Sequence, residues 1–118
     1  YTPLYTLSLH DALPISAPVG AIEVLLRKLG WSADKPDLYE VNEAFAVVPM
    51  TVMQELRIPH EKMNVFGGAC ALGHPVGASG ARIVVTLLNA LRRRGGKYGV
   101  AGICLAGGEA TALAVELL

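Results

Sequence analysis

The sequence predicts an α/β domain, a mixed sheet flanked by helices, and three observations predict it. Apolar residues recur at three- and four-residue spacing after Pro18 and again after Val76. Two small, aliphatic stretches near the C-terminus read as strands. Hydrophobic residues make up 53 % of the 118 residues, against 17 % charged. A chain of this length suits one modest domain burying roughly two thirds of its unfolded surface. So much apolar material beside so little charge implies flanks covered by a second domain or subunit.

The first sixteen residues, YTPLYTLSLHDALPIS, show neither a helical stripe nor a clean strand alternation. Tyr5 to Ile15 resembles the translation of a widely used short-read sequencing adapter over eleven consecutive codons. Residues 1–16 are therefore expected to be an artefactual leader, in which His10 and Asp11 carry no chemistry. The domain proper is expected to span 17–118 and to be truncated on its N-terminal side.

From Pro18 the spacing of Val19, Ile22, Leu25, Leu26 and Leu29 predicts a helix, with Gly30 as its C-terminal cap. WSADKPD reads as a loop and Leu38 to Val41 as a short strand ending at Asn42. EAFAVVPMTVMQEL reads as an apolar helix to about Leu56 that Pro49 should kink, because its ring removes a hydrogen bond and crowds the preceding turn. After a second loop and a glycine-rich stretch, Val76 to Arg94 predicts the longest helix, with Ile83, Val84, Leu87, Leu88 and Leu91 on its apolar face. The run Arg92 to Arg94 then complements the helix dipole. KYGVAGICL and ATALAVELL read as strands, and the short AGGE connection pairs them antiparallel.

Composition narrows the function classes. Ten basic residues balance ten acidic ones, which gives neither a nucleic-acid footprint nor a membrane-surface patch. No apolar run reaches the roughly 18 residues of a membrane span. Two cysteines argue for reduced thiols, hence a cytoplasmic setting, and not for a disulfide framework.

The chemistry concentrates in GGACALGHPVGASGAR, Gly67 to Arg82. His74 precedes Pro75, which suits the first helical position, so His74 stands at or beside a helix N-cap, free to donate one hydrogen bond and accept another. Ser79 and Gly80 let the first turns pack tightly. A histidine that only caps a helix fits the spacing equally well. Cys104 ends a strand before LAGG, a loop able to present N–H groups to a developing oxyanion. A free thiol is only a few per cent ionised at neutral pH, so a catalytic cysteine needs a histidine or amides beside it; a small core residue is the plainer reading of Cys104, as it is of Cys70. Asn42 reads as a helix N-cap or as an amide holding water or a carbonyl. Cys70, His74 and Cys104 make a poor metal set without a fourth ligand, and no phosphate-loop motif is present.

Taken together, VNEAFA (Val41 to Ala46), NVFGGACALGHPVGASGARI (Asn64 to Ile83) and CLAGGEATALAVE (Cys104 to Glu116) resemble the C-terminal half of a thiolase, in the family's order and with similar intervals. The resemblance implies the layered thiolase fold and acyl transfer between CoA thioesters through an acyl-enzyme, with the nucleophilic cysteine in an N-terminal half that these 118 residues lack. It implies that His74 activates that nucleophile, that Asn42 holds the oxyanion-hole water and that Cys104 is the second, acid/base cysteine. Phe45 would lie along the pantetheine arm and the Ala106 N–H would serve the second oxyanion hole. It implies acyl-CoA and CoA as substrates with no further cofactor or metal, the missing half as a partner, and a homodimer or homotetramer. The fragment alone is expected to be inactive. Ala106 replaces a family glycine, which costs about 1 kcal/mol or more if the position needs positive φ, and Phe66 stands where many members are polar. A non-catalytic lipid-transfer or scaffold protein with a thiolase-like domain is the alternative. A decarboxylating ketoacyl synthase of related fold would carry a histidine at Cys104.

Overall fold

A computed structural model describes Thr2–Leu9 as backbone and residues 15–118 in full. His10 and Asp11 lie outside the described residues. Helix α1 (Ala17–Leu29) follows strand β1 (Thr2–Leu9). Strand β2 (Leu38–Val41), helix α2 (Val47–Leu56), a 3₁₀ turn (His60–Lys62) and the single-turn helix α3 (Ala69–Leu72) come next. Helix α4 (Ser79–Arg94) leads into the hairpin β3 (Tyr98–Leu105) and β4 (Glu109–Glu116).

The four strands form one mixed sheet in the order β1-β4-β3-β2. β2 runs parallel to β3, and the other two pairings are antiparallel. Helices α1 and α2 cover one face, burying Ile22, Leu25 and Val52 against Tyr39, Val41, Val100 and the alternating Ala110, Ala112 and Ala114. Helix α4 covers the other face with Ile83, Leu87 and Leu91 against Leu38, Ala101 and Val115. These two clusters use opposite parities of β3 and β4, as a sheet buried on both faces requires. Tyr39 is fully buried and its hydroxyl donates to the Ala33 carbonyl at 2.7 Å, which satisfies its one polar atom.

α1 ends as its sequence predicts, with Gly30 in the left-handed conformation at φ 66°. Four expectations are corrected. First, β1 pairs with β4 from Thr2↔Glu116 to Leu9↔Ala110, with a register irregularity between Pro3 and Tyr5. Residues 2–9 thus supply a strand where no side-chain alternation announces one. Ladder pairing is made by main-chain groups, and β4 offers an unpaired row of them beside α1.

Second, α2 begins at Val47, so Pro49 sits in its first turn, where backbone N–H groups have no partner four residues back and a proline removes no helical hydrogen bond. Third, α4 begins at Ser79 and not at Val76. The Pro75 carbonyl accepts the N–H groups of Ala78 at 2.7 Å and Ser79 at 2.9 Å, closing a turn ahead of the helix, so His74 is not its cap. Fourth, Asn42 caps no helix, because Ala46 precedes α2. In the β3–β4 connection, positive φ falls on Gly107 (84°) and Gly108 (82°) and not on Ala106, so its methyl brings no backbone strain.

Candidate active site

The carboxyl ends of parallel strands are where α/β sheets gather functional groups, because the chain leaves the sheet there and loops from both faces converge. The parallel pairing of β2 with β3 ends here: Val41 pairs with Gly102, and the Asn42 N–H donates to the Gly102 carbonyl at 2.9 Å. Asn42 is the first residue past β2 and is fully buried. Cys104 lies two residues beyond Gly102 on β3.

Asn42 faces α4. Its Nδ2 stands 3.5 Å from His74 Nε2, and its Oδ1 accepts from Arg82 Nη2 at 3.5 Å. His74 is exposed, but its other ring nitrogen, Nδ1, lies 2.6 Å from the hydroxyl of the buried Ser79. That hydroxyl donates its single proton to the Pro75 carbonyl at 3.1 Å. With the hydroxyl turned that way, Nδ1 carries the ring proton and Nε2 turns a lone pair to the Asn42 amide; with the hydroxyl turned to Nδ1 the roles reverse. Such a lone pair can take a proton from a neighbouring thiol.

A second set of contacts holds this end of the sheet together. Asn64, at a φ of 47°, presents its side-chain amide to β2 as a strand would. Oδ1 accepts the Val41 N–H at 2.8 Å and Nδ2 donates to the Val41 carbonyl at 2.8 Å. Its main-chain N–H donates to the Tyr39 carbonyl at 2.9 Å, and Met63 bridges to Tyr39. Nδ2 also donates to Glu43 Oε1 at 2.9 Å, while Glu43 Oε2 accepts the Cys70 N–H at 2.9 Å. Burial pushes the Glu43 carboxyl up, but the Asn64 amide, the N–H and thiol of Cys70 and the charge of Arg82 outweigh it and hold the group below its ordinary range. The Cys70 thiol is raised, first by its hydrogen bond to Glu43.

Beneath Asn42 lies Glu40, 1 % exposed, with Oε1 unpartnered. Burial pushes its carboxyl up to about 8, against the pull of Arg82 and with the repulsion of Glu43. Arg82 keeps Nε and Nη1 buried without partners.

The structure thus brings Asn42 and His74 together. Cys104 reaches the same end of the sheet from the other face: it pairs across the hairpin with Ala110, on the side packed by α1. Among the described residues no hydrogen bond joins it to Asn42 or His74. Burial raises the Cys104 thiol, so it rests as the neutral S–H. Ala106 is exposed in the hairpin loop and Phe45 is 69 % exposed just past Asn42. A cavity of about 340 Å³ opens beside Glu43, lined by Met50, Met53, Met63 and Cys70, but Asn42, His74 and Cys104 do not line it. Both cysteines are unpaired. Among the described residues no group of three His, Cys, Asp or Glu side chains is placed to hold a metal, and no helix is long and apolar enough to cross a membrane.

Sequence reasoning missed Glu43, Asn64 and Arg82 as parts of this arrangement. Glu43 and Asn64 lie inside the motifs quoted above, yet their partners are 21 to 27 residues away, beyond any local pattern.

Known proteins resemble this chain along most of its length. The family described as "Thiolase, C-terminal domain" matches residues 5–117. The chain is 52 % identical over 99 residues to the cytosolic acetyl-CoA acetyltransferase of Mus musculus, covering 84 % of this chain and 25 % of the relative. It is 52 % identical over 103 residues to acetyl-CoA acetyltransferase 2 of Arabidopsis thaliana, covering 87 % of this chain and 26 % of that one. The chain therefore spans about a quarter of the length of these relatives. The crystal structure of the Bacillus anthracis acetyl-CoA acetyltransferase superposes with a TM-score of 0.93 at 40 % identity, over 98 % of this chain and 30 % of that one. The Acat5 thiolase from Ascaris suum, solved in complex with coenzyme A, superposes at 0.90 with 43 % identity, over the same shares. With the motifs, the sheet order and the match along nearly its whole length in agreement, the chain belongs to the thiolase C-terminal domain family.

Proposed function

We propose that this chain is the C-terminal catalytic part of an enzyme that transfers acyl groups between coenzyme A thioesters, by thiolysis of a 3-ketoacyl-CoA or by the reverse Claisen condensation. The observation that carries the reading is the Asn42–His74 contact at the end of β2, which brings Nε2 of the imidazole to 3.5 Å from the Asn42 amide. His74 Nε2 takes the proton of a nucleophilic cysteine thiol supplied by the N-terminal half. In condensation the thiolate attacks the thioester carbonyl of acetyl-CoA and CoA leaves as its thiol with that proton; in thiolysis it attacks the 3-keto carbonyl, the C2–C3 bond breaks, and acetyl-CoA leaves as its enolate. Asn42 holds a water against the developing oxyanion.

Cys104, kept neutral by burial, gives its proton to the leaving enolate in thiolysis; in the reverse direction the thiolate form takes a proton from the α-carbon of acetyl-CoA as the carbon–carbon bond forms. The Ala106 N–H serves the second oxyanion and Phe45 lines the pantetheine arm. No cofactor beyond the CoA thioesters is invoked. The partners are CoA and acyl-CoA, the N-terminal half, which would cover exposed apolar residues such as Leu72, Val76 and Val85, and further copies in a dimer or tetramer. A cytoplasmic setting follows the name of the mouse relative.

The test joins residues 17–118 to the N-terminal portion of the Bacillus anthracis relative and assays thiolysis of acetoacetyl-CoA. The joined protein is expected to turn over, the 118-residue chain alone not, and His74→Ala in the joined protein to lose at least about a hundredfold in kcat. Turnover by the chain alone, or a folded joined protein with no activity, overturns the reading; the second result would favour a lipid-transfer or scaffold role.

A further inference from the structure

We infer that Arg82 is a positioning residue that sets the ring tautomer of His74 from two groups away, through the orientation of the Asn42 amide. Five groups form one directed chain. Arg82 Nη2 faces Asn42 Oδ1, Asn42 Nδ2 faces His74 Nε2, His74 Nδ1 faces Ser79 Oγ, and Ser79 Oγ faces the Pro75 carbonyl.

The two ends fix its direction. A guanidinium has five donors, no acceptor and no accessible neutral form, so only the oxygen of Asn42 can meet it. Turning the amide over would set its NH₂ against that donor. With the oxygen committed to Arg82, the NH₂ must point at His74, and Nε2 must present a lone pair. At the far end the Pro75 carbonyl accepts only. The Ser79 hydroxyl between it and the imidazole can rotate and give its proton to either neighbour. The serine end therefore permits both tautomers, and the arginine end permits one.

Arg82 is well held for this task. It comes from the first turns of α4, and its Nε and Nη1 are buried and unpartnered above the buried carboxyl of Glu40. An unpaired, desolvated guanidinium strengthens whatever contact it does make, because the local dielectric is low. The Asn42 contacts are long, at 3.5 Å, as catalytic hydrogen bonds often are before substrate closes a site. Direction, not bond strength, is what the chain transmits.

The catalytic weight of this inference rests on His74 acting as the base proposed above, but its test does not. The probe is long-range ¹H–¹⁵N correlation of the His74 ring in the ¹⁵N-labelled 118-residue chain, at a pH where the ring is neutral. The wild-type chain is expected to show the Nδ1–H tautomer. Arg82→Met frees the amide to turn, and the Nε2–H tautomer rises from under about a tenth of the population to about half. Arg82→Lys, still donor-only, keeps the wild-type pattern. Dominant Nε2–H in the wild-type chain overturns the inference, whether or not any variant folds. So does an Arg82→Met spectrum that stays dispersed with the tautomer unmoved. If Arg82→Met does not fold, Arg82→Gln is read in its place, because glutamine can also accept and so removes the constraint. A failed thiolysis assay would leave this result standing, and the converse holds as well.

Discussion

Gly68 and the carboxylate of Glu43 exclude each other's side-chain atoms: a Cβ on residue 68 would lie 2.3 Å from Glu43 Cδ and 2.4 Å from Oε1. The backbone of Gly68, at φ −127° and ψ −157°, is open to any residue, so the requirement for glycine is one of space. The carboxylate cannot step aside without leaving Asn64 and the Cys70 N–H unpaired. Gly68→Ala is expected to destabilise the chain by about 1–3 kcal/mol. In a Glu43→Ala background it should cost well under half of that, as two mutations sharing one interaction do. Urea midpoints of the four chains give the coupling directly. Strict additivity would mean that the clash is relieved elsewhere.

The two carboxyls near Arg82 titrate with opposite consequences. Glu43 has its folded-state value lowered, so it contributes stability above the unfolded carboxyl value near 4.5 and loses it as pH falls through the lowered value. Glu40 is raised from 4.5 to about 8. Its contribution is complete below about 4.5 and is lost as pH rises toward 8. Stability should thus climb from acid to about pH 4.5 and then decline by up to about 1.4 kcal/mol per pH unit until about pH 8. Glu40→Gln should flatten the decline and leave the acid limb in place. Denaturation midpoints across pH 3 to 9 for both chains check this, and an unaltered decline in the variant would refute it.

Pro49 offers a test of sign. Replacing a proline that kinks a helix interior stabilises by about 3 kcal/mol, whereas at the first turn the replacement recovers no hydrogen bond and loosens the unfolded chain. Pro49→Ala is therefore expected to destabilise slightly, by under about 1 kcal/mol. A rise in thermal midpoint would contradict the placement of α2.

In the joined enzyme, Cys104→Ser should still be acylated by acetyl-CoA at the nucleophile but should lose condensation by at least about a hundredfold. Mass spectrometry of the intact protein reads the first property, and acetoacetyl-CoA formation reads the second. Condensation at the normal rate would remove Cys104 from the acid/base role.

The leader makes separate predictions about its origin and its structure. An adapter-free preparation of the source DNA should place a different coding sequence upstream of Ser16; recovery of the same leader would reject the adapter origin. Independently, deleting residues 1–9 strips β1 from β4. The shortened chain is expected to self-associate through the exposed ladder groups, seen as a shift to larger species in size-exclusion chromatography.

What could be read in advance was what local periodicity encodes. α1 with its Gly30 cap, β2 and the β3–β4 hairpin follow from spacing and turn residues, and the motif residues Asn42 and His74 do meet. The start of α4 was misplaced because the Pro75 carbonyl captures three donors of its own turn, which spacing does not show. β1 was missed because strand pairing is made by main-chain groups, which no side-chain pattern announces. Glu43, Asn64 and Arg82 went unrecognised because each takes its role from side chains far along the sequence. Cys104 approaches the shared end of the sheet from the α1 side.

Asn64 and Met63 already occupy the outer flank of β2, with a carboxamide and main-chain groups in place of a neighbouring strand. Unlimited head-to-tail growth of sheets into a fibre requires every unit to be open on both sides. This sheet is shut on one, so strand addition between copies ends at a closed pair and does not propagate.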